Sequence, residues 1–213
     1  MRLRNGDHGY GAVSKTLHWL TVLAFVGQFW VGYTLVNDDE AARVDCDPAG
    51  EARSGGDTTD AEEARLDRLE DQCDARQDRR DDEAEDAVAT AWSDLGSGDL
   101  IGNGLSLPEG HVLLGLSIIA LGLLRLLWRR MTSLPPWDPR LSTVNQRVVH
   151  ATEVSLLALQ FVVPATGILL VAGSDDLLAL HIAAHVTFFA VLAAHLAMVI
   201  GKGLLPRMLP GGR

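Results

Sequence analysis

Cysteine is nearly missing from this chain. Only Cys46 and Cys73 occur in 213 residues, so one chain cannot assemble a four-thiolate zinc or iron–sulfur site. Their state stays open: one disulfide if their segment lies in an oxidising compartment, or two surface thiols. No phosphate-cradling or nucleic-acid motif is present. With a net charge of −10, the sign argues against nucleic acid as a partner. The most informative absence is local. Residues 17–36 and residues 177–201 carry no formal charge at all, and residues 111–128 carry only Arg125. About 20 apolar residues suffice for a helix to cross a bilayer core, so each of these runs is long enough or nearly so.

What charge there is has been sorted. Residues 37–99 hold 22 of the 28 acidic residues and 7 of the 18 Lys and Arg. An acidic, hydrophilic block is thus set into a basic, apolar protein. The reading that follows is an all-α, integral membrane four-helix bundle. It has an acidic extramembrane insert, partly helical or disordered, between helices 1 and 2. Residues 1–36 form the tail and first span, 37–106 the insert, and 107–213 three further spans with a basic tail. Within the insert, residues 38–59 have little that could form a core. Leu66, Leu69, Cys73, Val88 and Trp92 recur at helical spacing, and residues 96–104 read as a linker. A charged solubilising loop is the plain reading of this block, and a cation or partner site is the functional one.

Topology follows from the Lys and Arg. Outside the insert they lie in the N-terminus, the proline-rich 129–147 connection and the C-terminal tail, apart from Arg125. The positive-inside rule makes those three cytoplasmic and the insert extracytoplasmic. That places the chain in the plasma membrane as a multi-pass protein whose lipid contact is the bilayer.

The polar residues inside the spans include six histidines, and such residues in lipid are costly. His181 and His195 are 14 residues apart. At about 100° per residue they fall within about 40° of one face, about 21 Å apart along the axis. His18 opens the first span from inside, and His111 opens the second from outside. The chain thus offers an inner pair, His18 with His195, and an outer pair, His111 with His181. Two imidazoles from different helices at one depth are what bis-histidine haem requires. The rivals are histidines hydrogen-bonded within ordinary packing and a zinc or copper site, which would want carboxylate or thiolate partners at one depth. His150 is a further inner candidate, as ligand, propionate contact or quinone contact. His185, one turn from His181, is a spare outer candidate, and His8 reads as solvated. Gly115 and Gly122 share the His111 face, leaving room for a macrocycle or another helix.

These residues together resemble the bacterial cytochrome b561 family, which is close to the b-type cytochrome subunit of nickel–iron hydrogenases. The resembling pieces are Ser14-Lys15-Thr16-Leu17-His18-Trp19-Leu20, His111 with Gly115 and Arg125-Leu126-Leu127, and His150 with Pro164. The last is His181 and His195 followed by Leu205-Pro206-Arg207-Met208. The resemblance covers residues 10–36 and 107–210. It implies two b-type haems and electron transfer to or from a quinone or redox partner. Some relatives oxidise superoxide for ubiquinone, which would make the chain a superoxide:quinone oxidoreductase. Others are haem-bearing anchor subunits of a dehydrogenase or hydrogenase. The chain departs from some relatives at Glu153, where they carry a second His, and in its short third loop. A reading outside this class is a non-redox membrane anchor or sensor with an acidic binding loop.

Overall fold

The uncharged runs become helices. In a computed structural model, residues 2–7, 9–42, 46, 59–97, 106–171 and 177–209 are described. Among them the chain forms α1 (Ala12–Ala42), α2 (Asp60–Ser97), α3 (Leu107–Met131), α4 (Thr143–Val171) and α5 (Leu178–Gly201), and then a 3-10 turn, Leu205–Arg207. An isolated bridge between Gly6 and Gly9 is the only extended pairing among the described residues. Helices α3, α4 and α5 are long and apolar enough to cross a membrane. Their outward side chains fit that setting: Leu127, Val162, Leu169, Val186 and Ile200 are large, apolar and exposed. The chain is a multi-pass membrane protein in contact with the bilayer. The turn at Asp175-Asp176, most of residues 38–59, His8, and residues 98–104 of the expected linker lie outside the described residues.

Helix boundaries follow local chemistry. Ser106 and Glu109 cap α3 reciprocally. Glu109 Oε2 accepts the Ser106 N–H at 2.6 Å, and Ser106 Oγ accepts the Glu109 N–H at 3.4 Å. At the far end Arg129 and Arg130 sit on the negative pole of α3. Gly203 ends α5. Its φ of 62° lets the Leu204 N–H reach the Val199 carbonyl at 2.8 Å and its own N–H reach Ile200 at 3.0 Å, a pattern that needs a left-handed residue.

The chain divides into two compact units, Met1–Phe29 with Leu113–Arg213, and Trp30–Val112. In the first, α4 and α5 are the closest-packed helices. They meet through Leu159, Val163, Ala184 and Phe188, with Phe25 and Phe29 of α1 against them. A second cluster, Leu141, Val149 and Leu204, packs with Met198 and Val199. Gly122 packs against Phe161, where a Cβ would come within 2.6 Å of Cζ, and Gly115 lies near Gln28 and Pro164. The glycines on the His111 face therefore seat neighbouring side chains of α1 and α4. In the second unit α2 is one continuous helix of 38 residues. Cys46 and Cys73 are joined as a disulfide, with Cα atoms 5.5 Å apart.

Candidate haem site

One end of the first unit is tied together by backbone carbonyls. Lys15 Nζ donates to Leu209 O at 2.8 Å, Trp19 Nε1 to Met208 O at 2.9 Å, and Arg207 to Pro136 O at 2.7 Å. Asn5 donates to Ser133 O at 3.2 Å while its Oδ1 accepts from Gly11 N and Ser14 Oγ. Trp128 Nε1 in turn donates to Ser14 Oγ at 3.0 Å. The N-terminal segment, the 129–147 connection and the C-terminal tail thus share one end. Asp138 anchors the connection by accepting from Arg140 at 2.8 Å. These hydrogen bonds hold the Asp138 carboxyl well below the usual carboxylate range.

Behind this floor lies a cavity of about 420 Å³, within the size range of cofactor sites. His18 of α1 and His195 of α5 line it, as does His150 of α4. Its walls are largely apolar, with Val22, Phe25, Leu156, Phe188 and Leu192. Arg125 and Arg129, one turn apart on α3, line the same space with Glu153. Arg129 Nη2 lies 3.5 Å from Glu153 Oε2. Tyr10 closes the floor beneath Arg207, whose guanidinium lies 5.7 Å from the ring centroid. Burial, and then the Glu153 charge, push the Tyr10 phenol above its ordinary value. Two imidazoles from separate helices, apolar walls and two guanidiniums near the floor fit a planar apolar macrocycle bearing acidic groups.

The remaining histidines lie elsewhere. His181 is half-buried, with Nδ1 2.8 Å from Thr166 Oγ1 of α4. His185 sets Nδ1 2.9 Å from the carbonyl of His181, and the two rings meet edge to face at 4.4 Å. Phe29 meets the His185 ring in the same manner at 5.7 Å. In the other unit, His111 lies against Gly32, where a Cβ would come within 3.4 Å of Cε1. Sequence reasoning did not find Arg129, Tyr10 or Thr166. Arg125, the lone charge in its span, and Glu153 were visible there.

The fold and this cavity define a helical membrane protein with an apolar, imidazole-lined cavity of cofactor size. The chain belongs to the prokaryotic cytochrome b561 family, whose model matches residues 9–211. It is accordingly a membrane b-type cytochrome of electron transfer, and the family implies b-type haem. No curated protein and no solved structure matches the chain.

Proposed function

We propose that this chain is a four-helix, di-haem cytochrome that carries electrons within the plasma membrane to or from a quinone, with superoxide as one donor the family admits. The observation that carries this reading is the cavity lined by both His18 and His195. Bound haem supplies one-electron chemistry at its iron. The residues of this chain do the rest. His18 and His195 offer neutral imidazole nitrogens, and Phe25, Leu156 and Phe188 exclude water, which bears on potential. Arg125 and Arg129 meet acidic edge groups, and Glu153 balances part of their charge. His150 is a further contact at the same cavity. His111 and His181, each near the start of its helix, are proposed as the second pair on register. The chain divides as residues 1–36, 37–106 and 107–213, with both termini cytoplasmic and the insert outside. The clustering of the three basic segments at one end supports that topology, as does the Cys46–Cys73 disulfide.

The test is a reduced-minus-oxidised spectrum with a pyridine haemochrome count on the purified membrane protein. Two haems per chain are expected. His18→Ala or His195→Ala should lower the count to one. A protein that binds no haem would sink the proposal, and retention of both haems in those variants would overturn the pairing. Co-purification of a soluble subunit would identify the chain as the haem-bearing anchor of a larger dehydrogenase.

A further inference from the structure

We infer that Thr166 is a positioning residue that fixes the ring tautomer of His181 and so decides which of its nitrogens can ligate iron. The inference rests on the proposed reading of His181 as a haem ligand.

Thr166 is only 6% exposed. Its Oγ1 has three neighbours: the Val162 carbonyl at 3.0 Å, the Val163 carbonyl at 2.8 Å and His181 Nδ1 at 2.8 Å. A hydroxyl has one proton to give and two lone pairs to accept with. Both carbonyls are acceptors only. The hydroxyl therefore donates back into its own helix, as threonines in helices do. Were its proton turned to the imidazole instead, its oxygen would face two carbonyl oxygens within 3.0 Å with no proton between them. The lone pairs of Oγ1 then point at Nδ1, which must be the donor. A neutral imidazole with its proton on Nδ1 carries its lone pair on Nε2, the nitrogen farther from the backbone and the one that would then ligate iron. The next residue of α4 makes room for this contact. A Cβ on Gly167 would come within 3.2 Å of His181 Cε1, so the helices approach there because the residue is glycine.

His185 is a useful contrast. Its Nδ1 faces a carbonyl of its own helix, that of His181 at 2.9 Å. The same tautomer results, but without help from α4. A change at Thr166 therefore reports on His181 and leaves the Nδ1 bond of His185 intact.

The experiment uses the purified, haem-loaded protein and compares Thr166→Val, Thr166→Ser and His181→Ala. Val keeps the shape and removes the hydroxyl, whereas Ser keeps the hydroxyl. Haem is counted by pyridine haemochrome. Each haem is then followed by low-temperature EPR of the oxidised protein and by redox titration. An acceptor on Nδ1–H raises ligand basicity and favours ferric iron. Thr166→Val should therefore shift one EPR signal, raise the potential of that haem alone, and speed its loss about 10- to 100-fold. Thr166→Ser should restore the native signature. Unmoved signals and potentials in Thr166→Val, with both haems present, overturn the inference and leave the di-haem reading standing. Two haems retained in His181→Ala overturn the ligand assignment itself. If Thr166→Val does not accumulate, Gly167→Ala disturbs the same contact, and unmoved signals there count equally against the inference.

Discussion

At the residue scale, the histidines were legible because lipid makes a polar side chain conspicuous. A 14-residue interval on one helix and two helix-opening positions sufficed to draw attention to His18, His111, His181 and His195. Their partners were hidden. Thr166 lies 15 residues before His181 on the preceding helix, and nothing in its neighbourhood marks it. Glu153 was visible, but its ion pair with Arg129 joins two helices and needed coordinates. The glycines show the same limit. Gly122 could have faced a macrocycle or a helix, and it faces the Phe161 ring. A Cβ there would come within 2.6 Å of Cζ, so Gly122→Val forces the ring to move. Overpacking of this kind costs about 1–3 kcal/mol. Gly122→Val should therefore melt at lower temperature in detergent, and adding Phe161→Leu should recover part of the loss. Equal melting of variant and parent would show that the α3–α4 contact is looser than the structure has it.

At the element scale, the apolar runs read well because length and hydropathy alone define a crossing helix. Three of the four expected spans meet that description as α3, α4 and α5. The first run lies inside α1, which continues to Ala42. What periodicity could not show is how the polar ends close over the cavity. Those contacts join residues about 70 to 190 positions apart, such as Arg207 with Pro136, Asn5 with Ser133 and Lys15 with Leu209. Asp138 is central to this floor, accepting from Arg140 with Arg207 4.0 Å away. Its folded value lies below the ordinary 3.8. The stability it contributes is therefore complete above about pH 4 and is lost as pH falls through the folded value. Asp138→Asn should lower the melting temperature at neutral pH by no more than about 4 °C, because Arg140 is largely exposed and such pairs are screened. The gap between variant and parent should shrink below pH 4. A gap that stayed constant to pH 3 would remove Asp138 ionisation from the account.

At the scale of the whole molecule, the uneven distribution of charge is the main organising fact. Residues 37–99 carry most of the acid, while the basic segments gather at one end of the first unit. A membrane that keeps Lys and Arg on its cytoplasmic side would orient these segments inward. The acidic block would then face an oxidising space, where a disulfide between Cys46 and Cys73 persists. These are the only two cysteines, so thiol chemistry reports on this block alone. In intact cells with an open outer barrier, a membrane-impermeant maleimide should not label the native protein. It should label two thiols per chain once an impermeant phosphine has reduced the bond. Cys46→Ser should expose a single thiol to the same reagent without reduction. Under the inverted topology neither reagent reaches the block until the membrane is dissolved, and the bond would meet a reducing cytosol, so lysis under a thiol trap would find both cysteines already free.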